Sequence, residues 1–471
     1  MPSTVAPNRF RSRIRSHLTL AYLCFVFLFG GGAREDIAGL VILRPVSAIV
    51  LAIGLLGLRD VSLRPYRFVL IMAAAIVTIA LLHVIPLPPR LWGALPGRDL
   101  IERIDAAAGV GAVWRPLALV PAMAWNGLFS LLPPLAMLVL AMRAGIAEQI
   151  ELARGLIAIG LVSAIVGVAQ LAAGPDSPLY LYSITNSGAL VGLFSNRNHH
   201  AIFLATLLPI LGFVASLPAA ERVRLQLRWA ILAFLGLFLV AAMLVTGSRA
   251  GFGIGLAGAL VAMAIFRQPV PSRRSHKDRP KAPSRWQTFP LRAASIAAIA
   301  IIAVLFLGFS DSPLGARLLG TADGEELRFR VWGPILADAW GYFPFGSGNG
   351  SFADVYKIGE RSELLHFNYL NHAHNDWIEV VLTVGLPALV LLAIATAGWA
   401  TAAWRVFIVR RDAAPAMLLG RLGAGLVALL ALASFADYPL RTPSLTCLFV
   451  LAVTWLAQGV AHPVSGKSEN D

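Results

Sequence analysis

Apolar runs of about 20 residues recur along nearly the whole 471-residue chain, and this spacing constrains the fold more than any other feature. About 20 residues of helix cross the hydrocarbon of a bilayer. The runs fall near 17–33, 38–58, 68–87, 124–142, 155–174, 199–218, 229–247, 249–266, 293–309, 377–398, 420–435 and 444–461. Period-two alternation bounded by turn residues is absent, which argues against a β-barrel. Backbone groups in lipid must pair within their own segment. The expected fold is therefore all-α: a polytopic integral membrane helix bundle of about 12 transmembrane helices with one large periplasmic loop. Charge agrees, since only 14% of residues are charged against about a quarter in soluble domains.

The formal net charge of +14 has a topological explanation, so no nucleic-acid partner is expected. With the N-terminus in the cytoplasm and twelve alternating spans, 25 of the 39 Lys and Arg fall on cytoplasmic segments. Every short inside loop is then basic, as the positive-inside rule requires. Arg9, Arg11, Arg13 and Arg15 precede the first run, and no clean small-x-small cleavage site follows it. An uncleaved signal anchor fits better than a removable signal peptide. Cys24 and Cys447 lie in apolar runs at opposite ends of the chain, which offers neither a disulfide framework nor a metal set. The chain divides into N-terminal transmembrane helices (1–190), a transmembrane region with the periplasmic loop 310–376 (191–461), and a cytoplasmic tail (462–471). The inside loop 267–292 is rich in Pro and charge and reads as a mobile topological anchor near anionic membrane lipid. Both termini are expected in the cytoplasm of a bacterial inner-membrane, multi-pass protein.

Ionisable groups at the hydrocarbon boundary are costly and tend to be functional. Five polar clusters meet that description, and the topology puts all five on the outer face. In Gly192-Leu-Phe-Ser-Asn-Arg-Asn-His-His200, Asn196 or Asn198 can cap the sixth span, and Arg197 adds charge where a helix N-terminus already attracts anions. Thr246-Gly-Ser-Arg249 is a tight outer turn; Arg249 either snorkels or binds an anion. In Arg328-Phe-Arg330-Val-Trp332, Arg328 shares a helical face with Trp332 and Arg330 points elsewhere; one arginine can bind ligand while the other pairs with Glu325 or Glu326. Asn371-His-Ala-His-Asn-Asp376 supplies His372 and His374, with Asn375 and Asp376 beside them. Two histidines without a third ligand at a recognised spacing imply no metal, and a histidine at the boundary suits proton transfer. Asp437-Tyr-Pro-Leu-Arg441 reads either as a turn closed by an Asp437–Arg441 pair or as part of a site.

No P-loop, dinucleotide-binding glycine motif or G-x-S-x-G elbow is present, so no cofactor is expected. Arginine forks bind phosphates through planar, permanent charge, and a neutral histidine can take a proton from an attacking hydroxyl. These residues suggest group transfer from a lipid pyrophosphate. An anionic-solute transporter is the reading from another class. Charges gathered at one face rather than the midplane, and no repeat of the first half in the second, speak against it.

The pieces GLFSNRNHHA (192–201), TGSRAG (246–251), RFRVW (328–332), PFGSGNGSF (344–352), HAHNDWIEVVLTVGL (372–386) and DYPLR (437–441) resemble, in order, the O-antigen ligase superfamily. It includes O-antigen ligases, O-antigen and exopolysaccharide polymerases and protein O-oligosaccharyltransferases. The resemblance implies a metal-independent membrane glycosyltransferase with a periplasmic active site. Its partners would be an undecaprenyl-pyrophosphate-linked glycan and an acceptor glycan or lipid A core. By the same resemblance His374 activates the acceptor hydroxyl and Arg249 and Arg328 hold the pyrophosphate, Arg328 being preferred to Arg330 because it stands four residues before the tryptophan. Arg197, Arg330 and Arg441 are further donor-binding candidates, and Asn198, His372, Asn375 and Asp376 are supporting ones. Ligase and repeat-unit polymerase differ only in acceptor, and both stay open.

Overall fold

Lipid-length apolar runs satisfy their own backbone groups only as helices, and helices account for almost every regular element. The computed structural model describes residues 6–59, 61–218, 222–269, 324–365, 369–410 and 412–463; the side chains of 6–16, 222 and 324–329 are outside the described set. The order is α1 (Ala6–Phe29), α2 (Gly39–Leu56), α3 (Arg67–Val84), α4 (Pro89–Gly93), α5 (Asp99–Ala107), α6 (Pro121–Phe129), α7 (Leu132–Arg143), α8 (Ile146–Ala173) and α9 (Arg197–Ser216). There follow α10 (Arg222–Val245), α11 (Arg249–Ile265), α12 (Gly324–Tyr342), α13 (Phe352–Gly359), α14 (Asp376–Val384), α15 (Leu386–Trp404), α16 (Pro415–Ala433) and α17 (Pro443–Ala461). Among the described residues nine helices are long and apolar enough to span a membrane, with α6 and α7 counted together. Two shorter apolar helices, His17–Phe29 and Arg249–Ile265, accompany them. The protein is an integral membrane protein. The ninth expected run, 293–309, lies outside the described residues, as does most of the 267–292 loop.

Two expected spans are broken, each for a local reason. The run 124–142 divides into α6 and α7 around Ser130 and Leu131, where Pro133 and Pro134 remove two N–H donors that a continuous helix would need. The run 377–398 divides into α14 and α15 at Gly385 (φ +69°), a left-handed backbone that glycine adopts readily. The membrane-length segment therefore begins at Leu386, and α14 stands outside it.

The bundle is organised around α9, which is buried almost all round and packs against α8, α10, α11 and α16. Its polar N-terminal turn consequently lies in the protein interior rather than on the rim. Helices α16 and α17 meet at backbone distance, since a Cβ on Gly420 would stand 2.7 Å from Gly459 Cα. Small residues permit such close crossings in lipid, where packing rather than water exclusion holds helices together. In contrast α3, α10 and α15 bury few of their residues and present apolar side chains outward.

The loop 88–123 is folded as well. It holds α4, α5 and a two-stranded ribbon pairing Pro86–Leu87 with Arg115–Pro116. The Gly-rich turn after α12 ties that segment to α14 and α15 through backbone bonds. Leu119 N–H donates to Ser347 C=O (2.9 Å), Ser347 and Gly348 N–H donate to Leu382 and Thr383 C=O (2.9 Å each), and Leu386 N–H donates to Pro344 C=O (2.8 Å). Asn349 N–H donates to His83 Nδ1 (2.9 Å). Buried Arg98, absent from the sequence candidates, donates to the Leu117 and Pro96 carbonyls (2.8 and 3.1 Å) from the other side. This turn is a structural keystone. Gly348 (φ +109°) would put a Cβ 2.4 Å from Ala118 Cα, so Gly348→Ala is expected to cost about 2–4 kcal/mol. A clear fall in the thermal midpoint of the detergent-purified protein is expected, whereas Gly253→Ala, in open helical space, leaves it unchanged or raised.

Candidate functional site

Three chain segments distant in sequence converge on one carboxylate. Asp437, fully buried in the turn between α16 and α17, receives a bond from Asn198 Nδ2 (2.7 Å) at the start of α9. Its other oxygen lies 3.2 Å from His374 Nδ1 and 3.8 Å from His199 Nε2, and also accepts the Tyr438 N–H (3.0 Å). Burial alone would raise this carboxyl, but the two imidazoles outweigh it and hold Asp437 well below the usual carboxylate range. An ionised carboxylate only accepts, so Nδ1 of His374 is the donor in this contact.

His374 is held in an unusual backbone state. Its φ is +49°, the only positive value at a non-glycine among the described residues, and such a conformation costs about 1–2 kcal/mol. The surroundings enforce it. Asn375 caps α14 by accepting from Trp377 and Ile378 N–H (3.0 and 3.2 Å), and Asp376 N–H donates to Ser434 C=O (2.9 Å). On the other side Trp332 Nε1 donates to Ala373 C=O (3.2 Å), which joins α12 to the histidine loop. The His374 side chain remains 14% exposed while Asp437 has no exposure, so the imidazole is the group at the opening. The ring of Tyr438 touches His199, His372 and His374 with centroids 5.0, 4.4 and 4.9 Å away.

A second network lies beside the first. Buried Glu379 meets His372 Nδ1 at 3.0 Å, accepts Ala373 N–H at 2.9 Å, and faces Arg441 Nη2 at 3.2 Å. Arg441 Nε bonds Asp376 Oδ1 (3.1 Å), and Ser434 Oγ donates to Asp376 Oδ2 (3.0 Å). The turn reading that paired Asp437 with Arg441 is thus corrected: each turns to a different partner, because the short 3-10 turn Pro439–Arg441 aims them apart. Arg441 contacts two carboxylates, which ties it to the histidine loop. Burial pushes Glu379 up, yet the Arg441 charge and His372 together pull it down to about 2.

The remaining candidates group around the same end. Asn196 caps α9 by accepting from Asn198 N–H (2.8 Å), so the two asparagines divide the roles that the sequence left open. Arg197 and Arg249 each begin a helix and are half-buried. Those helices meet directly, since a Cβ on Gly251 would fall 2.2 Å from Ala201 Cβ. Ser248 caps α11 through Gly251 N–H (2.9 Å). Arg330 is exposed on α12, and the Arg328 side chain lies outside the described residues. Position 328 stands one helical turn before Trp332, the residue that grips Ala373. Sequence reasoning passed over His199, Thr442 (3.0 Å from His199 Nδ1), Glu379 and Tyr438. Glu379 carried a usable signal, an acid inside the apolar run Asp-Trp-Ile-Glu-Val-Val. Among the described residues no three His, Cys, Asp or Glu are grouped to hold a metal ion.

Residues 233–393 match the family model described as O-Antigen ligase. This segment of the chain is similar to the O-antigen ligase family. The match includes Arg249, Arg328, the Gly-rich turn and the histidine loop, while the 192–201 and 437–441 segments lie outside it. The match supports, in general terms, a membrane glycosyltransferase of the O-antigen ligase or polymerase type acting in polysaccharide biosynthesis. No curated protein matches the chain.

Because the Glu379 carboxyl is depressed from an ordinary 4.5 to about 2, its contribution to stability is complete above the unfolded value and lost as pH falls through the folded one. Thermal unfolding scans between pH 5 and pH 2 should show a steeper loss of stability in the wild type than in Glu379→Gln. Equal slopes would mean that the Arg441 network does not control this carboxyl.

Proposed function

We propose that the protein transfers a glycan from an undecaprenyl-pyrophosphate donor to an acceptor hydroxyl at the periplasmic face of the inner membrane. The observation that carries this reading is the His374–Asp437 pair, an imidazole at the opening with a buried carboxylate behind it. Nε2 of His374 takes the proton of the acceptor hydroxyl as its oxygen attacks the anomeric carbon. The bond from that carbon to the pyrophosphate breaks, and the electron pair leaves with the lipid pyrophosphate. Arg249 and Arg328 hold the departing phosphates, with Arg197 and Arg330 in support. Guanidinium forks suit this task because they stay charged and match phosphate oxygens in pairs. Asp437 is a positioning residue: it fixes the Nδ1–H tautomer and stabilises the imidazolium that forms. No step calls for a metal or cofactor. The acceptor is a glycan hydroxyl, on lipid A core for a ligase or on a second lipid-linked repeat for a polymerase.

The test uses purified protein with a lipid-linked donor and a defined acceptor. His374→Ala is expected to abolish transfer while membrane insertion stays normal. Asp437→Asn is expected to lower kcat by about 10²–10⁴-fold and to change the pH profile, with KM for the donor little changed. Wild-type transfer in His374→Ala would overturn the mechanism.

The orientation belongs to the same proposal: twelve spans, termini in the cytoplasm, and the His374 end in the periplasm with loop 310–376. Reporter fusions provide the check. A fusion within 267–292 should report cytoplasm and one near residue 345 periplasm; the reverse pair would invert the topology.

A further inference from the structure

Arg44 lies in the second turn of α2, inside a segment that otherwise reads as a membrane span. A cation at such depth costs about 2–4 kcal/mol unless something answers its charge. Among the described residues no carboxylate pairs with it. Its Nη2 donates instead to the side-chain oxygen of Asn126 on α6, so the side chain reaches across to a neighbouring helix rather than to the interface. Beside it opens a cavity of about 510 Å³, walled by α2 and by Phe129 and Leu132, the residues flanking the break between α6 and α7. Val41, 76% exposed, lies along the same wall. Pro45, also in the lining, has no N–H to give the carbonyl four residues earlier, so the Val41 C=O is released from its helical bond.

The charges around this cavity are ordered. Arg44 is the cation of the lining, and Glu35 and Asp36, from the loop before α2, are its acids. Asp36 is engaged by Arg34 through two bonds of 3.0 and 2.9 Å. Glu35 is exposed and forms no ion pair among the described residues. The cavity thus offers one positive group within the apolar segment and one negative group in the adjoining loop. A diphosphate would bring more negative charge than the single guanidinium answers and would meet Glu35 as well. A phosphodiester that carries its own ammonium satisfies both groups.

The geometry points to a binding site for a phosphoethanolamine phospholipid. Its phosphate sits on Arg44, its ammonium is directed to Glu35 and the released Val41 carbonyl, and its acyl chains run along the apolar wall of α2. This site is separate from the His374 centre and does not rest on the transfer reaction. The two are nevertheless joined through the loop between α1 and α2. Gly31 C=O accepts Ser195 N–H (3.1 Å), Gly30 C=O accepts Ser444 N–H (3.0 Å), and Arg34 lies over the ring of Tyr369 (5.7 Å). A lipid held at Glu35 and Arg44 therefore braces the loop against which the α9 and α17 entries are seated.

The experiment is native mass spectrometry of the full-length, detergent-purified protein titrated separately with dioleoyl phosphatidylethanolamine, phosphatidylglycerol and phosphatidylcholine. Phosphatidylethanolamine should be retained in preference to the other two. Arg44→Gln should weaken its retention about tenfold, the size of one lost charge-assisted contact of about 1.4 kcal/mol. Glu35→Gln, on an exposed side chain that the fold does not need, should erase the preference over phosphatidylglycerol while leaving general phospholipid retention in place. Equal retention of the three lipids, a preference for phosphatidylglycerol, or unchanged retention in Arg44→Gln overturns the assignment. All three readouts are independent of glycan transfer.

Discussion

Asp437 is the charge on which the outer end of the bundle depends. It has no exposure, and a carboxylate so placed is tolerable only with partners around it. Asn198 comes from α9, Tyr438 N–H from its own turn, and His374 from the loop before α14. Removing a partner from a buried charge costs roughly 3–5 kcal/mol, so the ion fixes the mutual position of three segments that share no neighbouring sequence. The central burial of α9 makes this possible, because its polar first turn is presented to the interior. The same interaction turns Nδ1 of His374 inward, onto the buried carboxylate.

A second requirement is a platform for the histidine loop, and here backbone does the positioning. The turn 344–350 runs between the 83–119 segment and the α14–α15 junction with carbonyl and amide partners on both sides. Arg98 links the 83–119 segment to the turn by donating to the Pro96 and Leu117 carbonyls and, at 3.5 Å, to Gly346 C=O. Side-chain contacts at this junction could vary with little effect, but a Cβ at Gly346 or Gly348 would collide with backbone. Gly385 is constrained likewise, standing 2.3 Å from Pro344 C=O by the same measure. Glycine is required at these places by close approach, and the turn acts as a scaffold.

Much of this was legible in the sequence and some was not, for identifiable reasons. Run length predicts the helices well because lipid imposes the same rule on every span. The break at Gly385 was missed because one glycine in an apolar run looks like an ordinary helical residue until its φ is known. The polar boundary segments were recognisable because charged residues stand out in an apolar chain, and four of them, 192–200, 328–332, 371–376 and 437–441, do meet through direct contacts. Which residue pairs with which was not legible. Asn198 and Asp437 are 239 positions apart, whereas the nearby Arg441 offers a partner at plausible turn spacing. Local proximity suggested the wrong pair, since a 3-10 turn rotates residues four apart away from each other.

That exchange of partners bears on chemistry. Had Arg441 paired with Asp437, the carboxylate behind His374 would already be neutralised. With Arg441 drawn to Asp376 and Glu379 instead, Asp437 keeps its negative charge for the histidines. A carboxylate 3.2 Å from Nδ1 in a buried setting is screened little by solvent, so its charge is felt across the ring. Glu379 performs the complementary task. It answers the charge of Arg441 beside the His374 loop. The two networks share Tyr438 as an apolar divider yet act in one direction: one supplies negative potential to His374, and the other keeps positive potential away.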